Sequence, residues 1–302
     1  MVEKAVVLAA GSASRMQDNI ERYINDEIEL KAVRKGEKMA VRFGRFPFLD
    51  YQMLNLIQSG INKVNIVLRP EDEYFINHYR GIGKKVFPEI DISFSYQKVP
   101  DGTAHAVLSA RDFVDNDRFL VLNGDNNYPV ESIRMAINTP ENCSSLVAFD
   151  VEGFNPWVKS RLKSFAFLEI EDGELINIIE KPDNPEKFST TSYIYTEGNK
   201  KIFIKDKNLL SMNLWCFVPK IIEACTKVKR HAPRKPGKAG EFELPDAAML
   251  LKSWGNRIIA YYAKMDVLDL TKAEDIEIVG KQIREKLWSN VEELENRYRI
   301  AQ

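Results

Sequence analysis

Short runs rich in β-branched and aromatic residues recur along the first half of the chain, at residues 5–10, 63–68, 92–96, 119–122 and 145–149. Each is apolar on both faces, the pattern of strands in a mostly parallel sheet covered by helices on either side. Between the first two runs, Leu49, Met53, Leu56 and Ile57 fall at helical spacing within residues 48–59, and Gly60 suits the turn that ends a helix. Strand, helix and strand together predict a βαβ unit. Near residue 163 the pattern changes. Residues 165–170 and 175–179 flank Glu171-Asp172-Gly173-Glu174 and predict a β-hairpin, and further strands are expected at 192–196, 201–204 and 214–218. The second half is thus a mixed, antiparallel addition to an α/β core. From Lys272 onward, Ile276, Val279, Ile283, Leu287, Val291 and Leu294 predict one long or two shorter amphipathic helices, so the chain divides into a main domain over 1–271 and a helical extension over 272–302.

Charge narrows the function. The 302 residues carry 43 basic against 44 acidic side chains, a balance that gives no broad attraction to nucleic acid or an anionic membrane, so any anion specificity must be local. The basic segment 227–238 has no interleaved aromatics and reads as a solvated loop rather than a nucleic-acid patch. No apolar run approaches the roughly 20 residues that span a bilayer, and the first residues lack a basic leader with a cleavage site. Cys143, Cys216 and Cys225 are scattered, without metal-ligand spacing, which suits a reduced, cytoplasmic protein.

The first candidate for chemistry is Leu8-Ala9-Ala10-Gly11-Ser12-Ala13-Ser14-Arg15-Met16, a strand entering a loop of small residues and then an arginine. Small side chains admit phosphate oxygens to backbone N–H groups, and a guanidinium clamps them bidentately. The loop lacks the later glycines of the dinucleotide fingerprint and the Gly-Lys-Ser/Thr of a P-loop. At the end of a later apolar run, Phe119-Leu120-Val121-Leu122-Asn123-Gly124-Asp125 puts a carboxylate at the strand edge where ligands of open α/β sheets collect.

The small-residue loop resembles the signature loop of the sugar-phosphate nucleotidyltransferases, the nucleotide-sugar pyrophosphorylases. In that family a lysine stands nine residues before a proline that opens a helix, as Lys38 stands before Pro47. Five more segments follow in the family's order: Gln97 five residues before Gly102-Thr103-Ala104, Gly124-Asp125, Glu180-Lys181-Pro182, Ser211-Met212-Asn213-Leu214-Trp215, and Asp269 ahead of the last helices. The resemblance covers residues 8 to about 276. It implies a Rossmann-like three-layer nucleotidyltransferase fold, with a nucleoside triphosphate and a sugar 1-phosphate as partners, Mg²⁺ as cofactor and a homo-oligomer as one arrangement.

By the same resemblance, Arg15 holds the leaving pyrophosphate and Lys38 the α-phosphate. Ala10, Gly11, Gln97, Gly102 and Thr103 bind the nucleotide, with Gln97 and Gly102 on the base. Glu180 and Asn213 take the sugar, Lys181 its phosphate, and Asp125 with Asp269 the metal; Asp266 is the rival to Asp269. A carboxamide matches the edge of uracil or thymine, which favours UTP or dTTP. His105 reads as structural, since transfer to an ionised phosphate needs no general base. Two departures stand out: residues 17–36 insert a charged stretch between Arg15 and Lys38, a lid or a longer surface loop, and Ser164 or Phe165 replaces a glycine usual before the hairpin. Two alternatives remain, a non-catalytic regulatory protein on the same fold and a cytidylyltransferase acting on another phosphorylated acceptor.

Overall fold

The computed structural model describes residues 2–180, 193–197, 200–204, 208–231 and 240–302. Nine strands form the main sheet: β1 Lys4–Leu8, β2 Lys63–Leu68, β3 Asp91–Tyr96, β4 Phe119–Asn123, β5 Ser144–Asp150, β6 Ala166–Glu171, β7 Glu174–Glu180, β8 Leu209–Phe217 and β9 Ile258–Ala263, in spatial order β3-β2-β1-β4-β8-β5-β9-β7-β6. The first four pair in parallel, with Leu8 opposite both Val67 and Asn123. Their carboxyl ends therefore lie side by side along one edge.

In β1, β2 and β4 alternate side chains point to opposite faces and both sets are buried, whereas β3, at the sheet edge, is only partly covered. Ala5 and Val7 join one apolar cluster with the helix Phe48–Gln58, while Val6 joins a second with the helices Thr103–Ser109 and Leu244–Ser253. Helix, sheet, helix is the three-layer arrangement that two-sided apolar strands require.

Antiparallel strands extend the sheet from β8, which runs against both β4 and β5 and also touches β6. Its register slips between Ser211 and Trp215, a bulge in which Asn213 adopts a left-handed φ of 56°. β6 and β7 form the expected hairpin, turning through Asp172 and Gly173, both at positive φ, the backbone that a two-residue turn between twisted strands demands. Tyr193–Glu197 and Lys200–Ile204 pair antiparallel as a separate ladder. β9, parallel to β5, has no counterpart in the elements expected from sequence.

The 17–36 insertion is a packed element rather than a loose loop. Its helix Glu27–Arg34 is capped by Asp26, whose carboxylate accepts from the Glu29 N–H at 2.8 Å, and Ile20, Ile24 and Val33 are buried in the same cluster as β1. A segment held by an apolar face does not swing open as a lid without exposing that face. The C-terminal stretch forms two helices, Asp275–Lys286 and Trp288–Ala301, and the second docks on Phe48–Gln58 through Asn290 Nδ2 to Asn55 Oδ1 at 2.8 Å and Tyr298 to Asp50. Among the described residues no helix is long and apolar enough to cross a membrane.

Candidate active site

Backbone hydrogen bonds stitch the predicted loops to the strand edge. Ala9 N–H donates to Val67 O at 3.0 Å, Gly124 N–H to Leu8 O at 2.9 Å, and Gln97 N–H to Leu68 O at 2.8 Å. The segments leaving β3, β1 and β4 are thereby fixed in one row. The Gly11 turn has room above it, since a Cβ built there would meet nothing within 4 Å, and Ala13 at φ 52° then turns the chain into the short helix carrying Arg15.

A cavity of about 150 Å³ gathers Arg15, Asp125, Glu180, Asn213 and Asp269 from five separate stretches of chain, with Phe165 and Thr271 on its wall. Asp125 sits one residue beyond Gly124, and its carbonyl accepts from Leu270 N–H at 2.9 Å. A two-residue ladder opposes Asp269 to Asn126, which brings the second carboxylate against the first. Lys38 ion-pairs with Asp125 across the cavity rim. Asn213 reaches the cavity because the β8 bulge turns it out of the ladder, where Trp215 Nε1 donates to its Oδ1 at 3.3 Å.

Asp269 is buried, and burial followed by the neighbouring Asp125 charge pushes its carboxyl up to about 6. Its partners are Asn126 Nδ2 at 3.1 Å, Thr271 Oγ1 at 2.9 Å and Arg161 Nη2 at 2.9 Å. Arg161, which the sequence did not single out, is the cation that holds Asp269 in place. Its other nitrogen reaches Asp275 at 3.2 Å, and Asp275, fully buried, also accepts from Trp157 Nε1 at 2.6 Å and from Thr271 and Lys272 N–H at 2.7 Å. Asp266 lies apart, bound to Asn155, Gln282 and Lys286 at the C-terminal helix, and does not line the cavity.

The remaining predicted residues stand outside this cavity. Gln97 is nearly buried and its Nε2 donates to Gly102 O at 2.9 Å, with His105 Nδ1 at 3.4 Å. Gly102, at φ 99°, is pressed under the backbone of Phe242, whose carbonyl would sit 2.4 Å from an added Cβ. Thr103 Oγ1 accepts from Leu244 N–H at 2.8 Å and donates to Glu243, so it anchors the start of the Leu244–Ser253 helix. Ala10 is buried beneath the sheet edge. Lys181 lies outside the described residues, as do the second half of the basic 227–238 segment and its Arg234, Lys235 and Lys238. Arg230 of that segment clamps Asp101 through two nitrogens and lies over the Phe242 ring at 4.4 Å, so it is committed to the protein.

The parallel half of the sheet thus carries at its carboxyl edge a small-residue loop, a basic pair and two neighbouring carboxylates. A family model described as nucleotidyl transferase matches residues 4–236, and the chain belongs to that family of enzymes. One relative, the low-salt glycan biosynthesis nucleotidyltransferase Agl11 of Haloferax volcanii, is 25% identical over 276 residues, which are 90% of this chain and 64% of that protein. A second from the same organism, the UTP–glucose-1-phosphate uridylyltransferase AglF, is 24% identical over 283 residues, covering 94% of this chain and 97% of its own. Among solved structures, a UDP-glucose pyrophosphorylase complexed with UDP-glucose superposes with a TM-score of 0.66 at 19% identity, over 95% of this chain and 100% of that one.

Proposed function

We propose that this enzyme transfers the nucleotidyl group of UTP or dTTP to a sugar 1-phosphate and releases pyrophosphate. The observation that carries the reading is the order of groups along the sheet edge: Gln97 beyond β3, Gly11 and Arg15 beyond β1, Asp125 beyond β4, then Asn213 and Glu180 from the antiparallel side. Base, phosphates and sugar of a nucleotide sugar follow the same order. The vacant space over Gly11 suits a triphosphate approaching backbone N–H groups, since no packing contact accounts for the missing side chain.

In this reading a phosphate oxygen of the sugar 1-phosphate attacks the α-phosphorus in line, and its bond forms as the bond to pyrophosphate breaks. The nucleophile is already ionised, so the protein's part is positioning and charge neutralisation. Arg15 holds the leaving pyrophosphate, Lys38 the α-phosphate, Lys181 the sugar phosphate, and Glu180 and Asn213 the sugar hydroxyls. Asp125 and Asp269 fit Mg²⁺: they are two hard oxygen donors facing one cavity, their mutual repulsion already raises Asp269, and Mg²⁺ binds through one or two carboxylates with substrate phosphates completing its shell. When bound, the ion supplies positive charge to the α-phosphate. Lys38, which pairs with Asp125 in this structure, would then be available to the α-phosphate.

The base preference rests on the Gln97 amide. With its Nε2 turned to Gly102 O and His105, its oxygen is the group left to accept, and uracil and thymine offer an N3–H where cytosine has a bare nitrogen. Pyrophosphate release over a grid of nucleoside triphosphates and sugar 1-phosphates tests the reading. Turnover with UTP or dTTP and a hexose 1-phosphate is expected, and a higher kcat/KM with CTP or a purine triphosphate would refute the base assignment.

A further inference from the structure

A second cavity, of about 320 Å³, opens between the insertion helix Glu27–Arg34 and the helix Tyr74–Arg80, and it shares no lining residue with the reaction cavity. That size lies at the lower end for small-molecule sites. Its walls are of two kinds. Lys31 and Lys35, which caps the helix end four residues later, stand with Arg42 as three cations. Opposite them, the rings of Tyr74 and His78 lie within 10° of parallel, and Ile28 is 66% exposed at the mouth.

The cations are weakly committed. Lys31 makes no ion pair among the described residues, Lys35 is 3.6 Å from an exposed Glu73, and Arg42 is 3.6 Å from Asp26 and hydrogen-bonds the Tyr74 side chain. Exposed pairs at such distances contribute little, so an incoming dianion displaces them readily. Glu37, the acid at the base, is buried and pushed up to about 7, and therefore carries less than a full charge near neutrality. Among the described residues the acids nearest these cations are Glu73 and Asp26, each 3.6 Å away, and the buried Glu37.

We infer that this cavity is a second ligand site, for a phosphate monoester joined to a planar or apolar body. Lys31, Lys35 and Arg42 take the phosphate, and Tyr74 and Ile28 cover the body. The site does not depend on the proposed reaction, but it reaches the reaction cavity through one peptide bond: Glu37 lines it, and Lys38 pairs with Asp125. The insertion that interrupts the family's usual loop supplies one entire wall.

Phenyl phosphate is a suitable probe, because it carries a phosphate monoester and a flat ring but neither nucleoside nor sugar. Titrated calorimetrically into the full chain, it is expected to bind at least about tenfold more tightly than inorganic phosphate, as burial of the ring adds to the charge contact. A Lys31→Ala, Lys35→Ala double variant, altered only at exposed positions, is expected to lose about tenfold or more in affinity, the size of a lost charge-assisted contact. Arg15→Ala, in the reaction cavity, should leave the affinity unchanged. The assignment is overturned if the wild-type chain does not bind the probe, if inorganic phosphate binds as tightly, if the double variant keeps its affinity, or if Arg15→Ala loses as much as the double variant.

Discussion

Replacing Arg161 with methionine removes the one cation that, among the described residues, ion-pairs with both Asp269 and Asp275, and leaves the carboxylates in place. Arg161 is 11% exposed, Asp269 8% and Asp275 0%, so water does little to replace the lost charge. Breaking a buried ion pair by deleting one partner costs about 3–5 kcal/mol. Asp275 keeps three donors, Trp157 Nε1 and two backbone N–H groups, which puts the expected loss near the lower end, about 3 kcal/mol. Asp269 carries most of it, because Asp125 already repels its charge. Its folded pKa, raised to about 6, lies above the ordinary 3.8, so its ionised form is the destabilised one. That penalty is present above pH 6 and disappears as protonation completes toward pH 4, and losing Arg161 enlarges it. Urea unfolding of the wild type, Arg161→Met, Asp269→Asn and the double variant at pH 7.5 and 5 forms a double-mutant cycle. The Arg161→Met loss should shrink at pH 5 and in the Asp269→Asn background. A loss below about 1 kcal/mol, or one equally large with Asp269 neutralised, refutes the charge argument.

Three further outcomes are expected. Asp125→Asn should retain its fold and lose about 2–3 orders of magnitude in pyrophosphate release, whereas Asp266→Asn should lose about 1–3 kcal/mol in urea unfolding with turnover kept; equal turnover losses in the two would remove the distinction between them. Glu37, raised from 4.5 to about 7 by burial and then by Asp72, is ionised at a cost above pH 7 and not below 4.5, so wild-type stability relative to Glu37→Gln should fall by up to about 3 kcal/mol across that interval; parallel stability curves for the two proteins contradict the burial argument. Gly102→Ala forces a Cβ to 2.4 Å from Phe242 O at a positive φ and should lower the melting temperature by several degrees, whereas Gly11→Ala meets open space and should leave melting unchanged while raising KM for UTP; calorimetry and initial rates separate the two glycines.

What the sequence made legible is what chain neighbours determine. β1 and β4 could be read because strands buried on both faces are largely apolar, and Asp125 because one glycine separates it from the end of such a strand. The hairpin followed from Asp172-Gly173, the pair that tolerates two positive φ values. β9 is absent from the expected strands although Ile258–Ala263 carries a strand signal of its own, six residues rich in isoleucine and tyrosine. Asn213 could be named but not explained, since the bulge that turns it into the cavity arises from how β8 meets two neighbours at once.

Arg161 shows the limit more sharply. In Val158-Lys159-Ser160-Arg161-Leu162-Lys163 it has the same local company as the two lysines, and periodicity gives no reason to prefer it. It is singled out only when the segment folds over Asp269 and Asp275, 108 and 114 residues further along the chain. Gly102 shows the converse case: the motif suggested a glycine kept open for a base, and the backbone of Phe242 accounts for it by close packing. A carboxylate at a strand end announces where a charge will stand, but the group that balances it can come from any part of the chain. Asp125 could therefore be named from its place after an apolar run, and Asp269 only through the family resemblance. Arg161, which pairs with Asp269 and opposes the rise that burial and Asp125 impose on it, could be found only in the fold.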